Sequence, residues 1–340
     1  MRVANIMLSK KGGGIEQSMV DYCLALSLFG HQAIAITPPR AWVNNILPDD
    51  TEKYHLKNWG AWDIFAALKL RKILLRTKPD IIITHTNRAL TLTLKAIKGK
   101  IPIIAVAHNY KIKQFIKADA VFTITQDLAG KVADLGVKSQ KIFHIPNMIK
   151  ASEPTHKEPH NPLVIGALGR FVHKKGFAIY LQALKILKEQ GIEFKALLGG
   201  AGEESENLQQ LAQQLGLQEN LEFIGWVEER AEFYNRLDIF CLPSLHEPFG
   251  IVLLEAFAHK VAVVSTNSEG PIEIATPNED ALLVEKNDAV ALANALKKLL
   301  ADEILREYLR DNAYKKICAN YTHQIVGAKI SAALTEIRNT

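Results

Sequence analysis

Cysteine is scarce in this chain. Cys23, Cys241 and Cys318 are the only cysteines among 340 residues, and they show neither CxxC nor Cys/His spacing. Disulfide frameworks and structural zinc sites need several such residues at short spacings. The sequence therefore argues against both, and we expect reduced thiols buried in the core, where free cysteine is most often found.

Long hydrophobic runs are also absent, since no apolar stretch approaches the ~20 residues that a membrane-spanning helix needs. The apolar start of the chain runs into Lys10 and Lys11 rather than into a small-residue cleavage site. A first strand is therefore a better interpretation than a signal peptide. With 48% hydrophobic and 23% charged residues, the composition is typical of a globular protein, which we expect to stay in the cytoplasm.

Acidic residues are few in the first half of the chain. Residues 1–150 hold 22 Lys and Arg against 10 Asp and Glu, a net charge of +12, whereas the remainder carries −7. A basic half attracts phosphates, nucleic acid or anionic lipid head groups. Nucleic-acid binding stays an open alternative at pI 8.9, but no recognised motif interleaves aromatic residues with these charges.

Short apolar runs alternate with amphipathic helical segments, as in RVANIML, QAIAIT, DIIITHT and PIIAVAH. Continuous apolar strands between helices predict a parallel, doubly wound sheet. The rhythm stops at a polar, proline-containing stretch and then restarts. We therefore predict a first Rossmann-like domain over 1–150, a linker over 151–162, a second Rossmann-like domain over 163–320, and a C-terminal helix over 321–340 that can return to the first domain. Ligands of such folds bind at the carboxyl ends of the strands, which predicts a cleft between the two sheets.

A glycine-rich turn, KKGGGIEQ, follows the first strand and opens a helix. Such turns offer backbone amides and a positive dipole end to an anion. The dinucleotide fingerprint GxGxxG is incomplete, because Gln17 stands where the third glycine belongs. A nicotinamide site is therefore disfavoured, and a tight turn without a ligand stays an alternative.

The second half contains GRFVHKKG, with Arg170 at a strand end and Lys175 just before Gly176. Two cations on one loop suit a diphosphate whose leaving charge must be neutralised. A solvated basic loop is the alternative interpretation.

The segment HEPFGIVLLEAF places Glu247 and Glu255 eight positions apart. Pro248 and Gly250 predict a helix N-terminus open to a ligand, with Glu247 in the preceding loop and Glu255 about two turns inside the helix. Carboxylates accept hydrogen bonds from sugar hydroxyls. Glu255 taken alone is equally typical of a helix-surface carboxylate.

These motifs resemble, in order along nearly the whole chain, those of the retaining glycosyltransferases of family four, which have the GT-B fold of two Rossmann-like domains. The matching segments are GGIE at 13–16, GH at 30–31, His108 in AVAHN, IPN at 145–147, GR with KG, and EPFGIVLLE. The last segment matches the family's E-x7-E signature. The chain departs from the family pattern at Met148, Ala281 and Glu269, where glycines are usual or common. None of these changes removes a charged functional group, and we expect them to alter loop shape, and so donor or acceptor preference, more readily than the chemistry.

The resemblance implies a role for each motif. Glu255 would hold the donor ribose, Glu247 the hydroxyls of the transferred sugar, and Arg170 and Lys175 the diphosphate. His108 would face the sugar, although a structural strand-end histidine is the alternative. The remaining donor contacts would come from Gly13 and Gly14, from Gly225, Trp226 and Val227 near the base, and from Phe249, Gly250, Ile251 and Val252 at the helix start.

Asp-x-Asp, the usual metal-binding pair for a nucleotide sugar, is absent from the expected strand end. The resemblance implies a metal-independent hexosyl transfer with retention, needing no cofactor beside the nucleotide sugar co-substrate. A nucleotide-sugar epimerase or phosphorylase on the same plan is one alternative. A non-catalytic sugar or nucleotide binding protein is another.

In the enzymes that this sequence resembles, the first half of the chain binds the acceptor, and here that half is basic. This charge favours a phosphorylated lipid or saccharide acceptor, as in lipopolysaccharide-core or glycolipid synthesis, and peripheral contact with the inner face of an anionic membrane. Trp59 and Trp62 can sit at head-group level or pack in the core. A solvated basic face with a soluble acceptor stays an alternative. The clustered cations are Lys69, Arg71, Lys72, Arg76, Lys78, Lys95, Lys98, Lys100, Lys111, Lys113 and Lys117.

Overall fold

Two parallel sheets, one in each half of the chain, carry the fold. The computed structural model describes residues 1–97, 99, 101–151 and 158–339. The chain divides into one unit of Met1–Ile149 with Asn320–Thr340, and a second of Lys150–Ala319. Residues 152–157 of the predicted linker, and Lys98 and Lys100 of the basic cluster, lie outside the described residues.

The first unit is built on a seven-stranded sheet in the order β3-β2-β1-β4-β5-β6-β7, with every neighbouring pair parallel. Its inner strands are fully buried because helices cover both faces, which explains their uninterrupted apolar sequences. The strands are β1 Arg2–Ile6, β2 Gln32–Thr37, β3 Glu52–His55, β4 Ile81–Thr84, β5 Ile103–Ala107, β6 Ala120–Thr123 and β7 Ile142–His144.

Among its described residues, the first unit has the α-helices α1 Gly14–Leu28, α2 Ile64–Thr77, α3 Asn87–Ala96, α4 Gln126–Asp134 and, from the end of the chain, α12 His323–Asn339. The last of these packs against α1.

Two buried polar contacts anchor α1. His323 Nε2 lies 3.1 Å from Asp21 Oδ1, which joins α12 to α1. Ser18 donates to Asn147 Oδ1 at 3.0 Å, so the asparagine of IPN ties the end of β7 to the same helix. Through these contacts, α1 is held both to α12 and to the segment that follows β7.

The second unit repeats the architecture with a six-stranded parallel sheet in the order β10-β9-β8-β11-β12-β13. The strands are β8 Val164–Leu168, β9 Lys195–Gly199, β10 Leu221–Gly225, β11 Ile239–Leu242, β12 Ala262–Thr266 and β13 Leu282–Val284. The helices are α5 Phe177–Glu189, α6 Ser205–Gln214, α7 Arg230–Asn235, α8 Ile251–Ala258, α9 Pro271–Ile274, α10 Ala289–Ala301 and α11 Glu303–Asn320. The expected pair of doubly wound parallel sheets is therefore confirmed.

Two details differ from expectation. The helix after Pro248 begins at Ile251, because Gly250 takes a left-handed φ of +100° at its N-cap. Glu255 therefore lies just over one turn inside α8, not two. Cys23 and Cys241 are buried as expected, but Cys318 is exposed, since it falls on the outer face of α11.

Within the described ranges, no helix is both long and apolar enough to cross a membrane.

Candidate active site

The loop after β8 is packed onto the loop after β11. Gly176 follows Lys175 with a φ of +67°, and a Cβ atom at Gly176 would overlap the Pro243 carbonyl oxygen. Only glycine permits this approach. The Leu245 amide then donates to the Lys174 carbonyl at 2.9 Å. Because β8 and β11 are neighbours in the sheet, these contacts bring Lys175 to the strand end that also carries Glu247.

Lys175 and Glu247 form an ion pair between Nζ and Oε2. Only 18% of the lysine side chain and 9% of the glutamate side chain are exposed. Little solvent screens a pair in such a setting, and removing one partner would leave the other charge poorly solvated. The structure thus brings together Lys175, one of the two residues predicted for the diphosphate, and Glu247, the residue predicted for the sugar hydroxyls.

Glu269 holds the Glu247 backbone in place. Its Oε2 accepts from the Glu247 amide at 3.1 Å, and its Oε1 lies 3.1 Å from His246 Nδ1. Burial acts to raise the pKa of Glu269, but a hydrogen bond to its own backbone, the hydrogen bonds to His246 and the Glu247 amide, and the charge of Lys286 together lower that pKa below its usual range. The residue that departs from the family's glycine is therefore an ionised positioning group beside Glu247.

Helix α8 begins at Ile251, shortly after Glu247 along the chain. Gly250 forms the N-cap, and no side chain from the described residues caps the helix start. The first amides of an α-helix lack intrahelical partners and carry the positive end of the dipole. Ile251 and Val252, both half-buried, supply these amides. They can receive an anion.

Glu255 is held by two residues of α7. Arg230 Nη1 lies 3.0 Å from Glu255 Oε2, and the Tyr234 hydroxyl donates to the same oxygen at 2.9 Å. Burial, and then the neighbouring Glu255 charge, raise the pKa of Tyr234 well above its usual value, so the tyrosine stays a donor. Both contacts engage Oε2. Glu255 Oε1 can accept from a ligand.

The carboxyl ends of β8, β9 and β10 meet through glycines. The Gly200 amide donates to the Gly225 carbonyl at 2.6 Å, and a Cβ atom at Gly200 would overlap the Gly169 carbonyl oxygen. Gly225 has a φ of +71° and is followed by Trp226, half of whose surface is exposed. Trp226 is thus a flat apolar surface at the strand edge, the feature expected near a nucleotide base.

Arg170 lies in the same loop as Lys175, exposed at the end of β8. No ion-pair partner for Arg170 occurs among the residues described. Its guanidinium is therefore available to solvent or to an anion, but the structure does not bring it into contact with Lys175 or Glu247.

In the first unit, Gly13 is the N-cap of α1 and Gly14 is its first residue. Gly13 is extended, with a φ of 171°, and no side chain from the described part of the chain caps this helix. A Cβ atom at Gly12 would lie 3.1 Å from Trp42 Cδ2. The glycine run therefore lets the turn pass close to Trp42 and leaves the α1 amides uncovered.

His108 follows β5 and belongs to a buried hydrogen-bonded chain. Its Nε2 lies 2.9 Å from His85 Nδ1, and His85 Nε2 lies 2.7 Å from Asn5 Oδ1. Desolvation lowers the pKa of His108 to about 3. His108 is therefore neutral at physiological pH.

Comparison with known proteins shows the family to which the chain belongs. The model of Glycosyl transferases group 1 matches residues 148–316, and that of Glycosyltransferase Family 4 matches residues 12–153. The lipopolysaccharide core biosynthesis glycosyltransferase LpsE of Rhizobium meliloti (strain 1021) is 30% identical over 325 residues, covering 93% of this chain and 94% of LpsE. The chain therefore belongs to the glycosyltransferases of the group 1 and family 4 type.

Solved structures confirm the GT-B fold. The glycosyltransferase from Rickettsia africae ESF-5 superposes with a TM-score of 0.86 at 20% identity, over 99% of this chain and 98% of that one. Anabaena HepE in complex with UDP-glucose gives 0.85 at 19% identity, over 99% and 100% of the two chains. At these identities the likeness concerns fold alone.

Three residues of the glycosyltransferase contact predicted site residues but were not themselves predicted from the sequence motifs. Arg230 and Tyr234 hold Glu255, and His85 contacts His108. The i,i+4 spacing of Arg230 and Tyr234 in ERAEFYN was a usable signal, since it places both on one helix face. The sequence signal for His85 was weaker: this histidine stands directly after a buried strand. The roles assigned to individual donor-site residues stay predictions.

No group of three or more His, Cys, Asp or Glu side chains suited to a metal ion occurs within the described ranges of the glycosyltransferase.

Proposed function

We propose that the protein transfers a hexose from a nucleotide diphosphate sugar to an acceptor hydroxyl, with retention of anomeric configuration and without a metal ion. The observation that carries the proposal is the grouping of the Lys175–Glu247 ion pair with the uncapped N-terminus of α8. It supplies a cation, helix amides and a carboxylate at one strand edge, in a chain of this family. The UDP-glucose bound to HepE supports a donor of this chemical class.

Each group has a chemical task in the proposed reaction. Lys175, Arg170 and the amides of Ile251 and Val252 neutralise the charge that grows on the departing diphosphate. Preorganised donors of this kind contribute ~3 kcal/mol each. Glu255 accepts hydrogen bonds from the ribose, for which Oε1 is suited.

The Lys175–Glu247 pair gives the donor a defined point of entry. We propose that the diphosphate takes over Lys175, so that Glu247 turns to the hydroxyls of the sugar. The ion pair keeps both charges compensated before the donor binds, which avoids the cost of an isolated buried charge.

In the proposed transfer step the acceptor hydroxyl oxygen bonds to the anomeric carbon on the face from which the phosphate leaves. The bond from that carbon to the phosphate oxygen breaks, and its electron pair stays with the phosphate. The departing phosphate takes the hydroxyl proton. This route needs no protein nucleophile and balances without a cofactor.

The acceptor is proposed to be a phosphorylated lipid or saccharide of lipopolysaccharide or polysaccharide synthesis. LpsE, and LpsD of the same organism at 28% identity, are lipopolysaccharide core biosynthesis glycosyltransferases, and the first 150 residues carry a net charge of +12. We place the enzyme in the cytoplasm, peripherally on the inner face of the membrane. Family membership favours transfer over the epimerase, phosphorylase and non-catalytic alternatives.

Chelation tests the metal-free route. We expect full turnover in excess EDTA, with a product that keeps the donor's anomeric configuration in proton NMR spectra. The cations and helix amides already provide the charge that a divalent ion supplies elsewhere. An enzyme inactive in EDTA that magnesium or manganese revives would contradict the proposal, as would an inverted product.

A further inference from the structure

Large apolar side chains stand in solvent where β3 leads into α2. Trp59 and Phe65 are each 85% exposed, and Trp62 is 78% exposed. Soluble proteins rarely present a contiguous set of such residues without a binding role. We call this set the apolar corner; its members are Trp59, Trp62, Ile64, Phe65 and Leu68.

Asp63 fixes the shape of the apolar corner. Its Oδ1 accepts from the Ala66 amide at 2.9 Å, which caps α2, and its Oδ2 accepts from the Trp59 amide at 3.0 Å. These two hydrogen bonds connect the loop backbone at Trp59 to the first turn of α2, so they fix the backbone that carries the exposed rings. Asp63 is also the only acidic residue between Lys53 and Pro79.

Cations surround the apolar corner. Lys95 Nζ lies 4.0 Å from the centroid of the Trp62 ring, and Lys57 Nζ lies 5.8 Å from that of Trp59. On α2 the buried residues face the sheet, while the exposed face carries Leu68, Leu75 and four cations. These cations are Lys69, Arg71, Lys72 and Arg76.

We propose that the apolar corner and the cations of α2 are the surface by which this enzyme lies on an anionic lipid bilayer. A helix with a cationic, acid-free outer face and exposed bulky apolar residues is typical of one that rests in the membrane interface. Tryptophan side chains favour the head-group level, and basic residues are attracted to anionic lipids. The assignment rests on the membrane location proposed above and names the residues responsible.

Co-sedimentation of the full chain with vesicles tests this surface. We expect binding to vesicles with about 30% anionic lipid at low salt, little binding to neutral vesicles, and weakening in about 0.5 M salt, where the Debye length is a few ångströms. Changing Trp59, Trp62 and Phe65 together to Ser should lower the bound fraction at least tenfold. The matched control, Ile304→Ser, removes an equally exposed apolar residue from α11 and should bind like wild type.

Two results would overturn the surface assignment: wild type remaining in the supernatant with anionic vesicles at low salt, or the triple variant binding as well as wild type. A triple variant that loses self-association in ultracentrifugation while vesicle binding is unchanged would assign the corner to a second copy of the chain instead. Donor turnover in detergent-free solution, measured for the same variants, separates the two proposals, because loss of vesicle binding with unchanged turnover leaves the proposed transferase reaction intact.

The buried chain from His108 to Asn5 carries a second, independent inference. Asn5 Nδ2 donates to the Met19 carbonyl oxygen at 3.0 Å. A carbonyl can only accept, so Asn5 must present Oδ1 to His85. His85 Nε2 is therefore protonated. Burial, and then the neighbouring His108, lower the pKa of His85 well below its usual value, so His85 is neutral and its Nδ1 accepts from Nε2–H of neutral His108. The orientation of the Asn5 amide therefore fixes the proton position on His85, which in turn fixes that on His108.

We infer that Asn5 and His85 are positioning residues that hold His108 in the tautomer with an unprotonated Nδ1. No described residue pairs with that nitrogen. In this state His108 accepts a hydrogen bond from a substrate hydroxyl and cannot donate one, which disfavours a carboxylate at the same point of the ligand. The inference rests on the proposed contact between His108 and the sugar, but the tautomer itself does not.

Long-range proton–nitrogen NMR of the ¹⁵N-histidine-labelled protein distinguishes the two ring nitrogens. We expect His108 to carry its proton on Nε2 at pH 7, with assignments from His108→Gln and His85→Gln. Asn5→Leu should mix the tautomers of both histidines and raise the sugar donor's KM more than it lowers kcat. A proton on Nδ1 of wild-type His108, or an imidazolium, would overturn the inference, and so would an unchanged tautomer in a folded Asn5→Leu variant.

Discussion

Lys175→Ala should lower turnover by roughly 100-fold or more, the scale for removing one preorganised transition-state donor. Its charge matters most as the diphosphate departs, so nucleoside binding should weaken far less than kcat. The measurement is kcat together with the dissociation constant of the nucleoside, on wild type and variant.

The control for this substitution must account for the ion pair. Lys175→Ala leaves the Glu247 carboxylate, 9% exposed, without its cation, so thermal unfolding of the variant is measured in parallel. Lys174→Ala makes the same charge change at the adjacent exposed position of the same loop and should keep near-normal turnover. A folded Lys175→Ala variant with near-normal turnover would remove this lysine from the mechanism.

Glu255→Ala should weaken donor binding strongly while kcat at saturating donor changes little. Its proposed partner, the ribose, does not react. A hydrogen bond to a charged group is worth ~1.5 to 3 kcal/mol, which corresponds to a roughly 10- to 150-fold rise in the donor's dissociation constant. Calorimetric titration of the nucleoside diphosphate provides that constant without an acceptor.

Glu189→Ala is the matched control for Glu255, because it removes a helix carboxylate that also pairs with a cation, Lys185, 3.1 Å away. It should bind donor like wild type. Glu255→Gln keeps an acceptor oxygen for Arg230 and Tyr234 but loses the charge, so an intermediate loss is expected. Equal donor binding by wild type and Glu255→Ala would show that Glu255 only anchors α7 to α8.

The architecture could be predicted because buried parallel strands have continuous apolar sequences. RVANIML and DIIITHT contain β1 and β4, and PIIAVAH contains β5. The edge strand β3 was not predicted, since EKYH alternates exposed and half-buried residues and carries little apolar signal. Helix α3 was also missed, because its threonines lower its helix propensity.

The candidate site could be predicted only in part. Motif spacing indicated Lys175 and Glu247 separately, but their pairing spans 72 residues and depends on β8 and β11 being neighbours. The start of α8 was misplaced because Pro248 is typical of a first helical turn, whereas Gly250 in a left-handed conformation decides where the helix begins. Similarly, no local pattern shows that Asn5, His85 and His108 meet, since Asn5 lies in β1 whereas the two histidines follow β4 and β5.

The proposed reaction requires the second unit to bind a nucleotide diphosphate sugar without a metal ion. A thermal-shift panel of nucleotide sugars in excess EDTA tests it most directly, because a ligand at 100 times its dissociation constant stabilises the folded state by ~2.7 kcal/mol. We predict a clear rise in unfolding temperature with at least one nucleotide sugar and with its nucleoside diphosphate, and a much smaller rise for Glu255→Ala. A panel in which no nucleotide sugar stabilises the wild-type protein, or stabilises it only after magnesium or manganese is restored, would contradict the account.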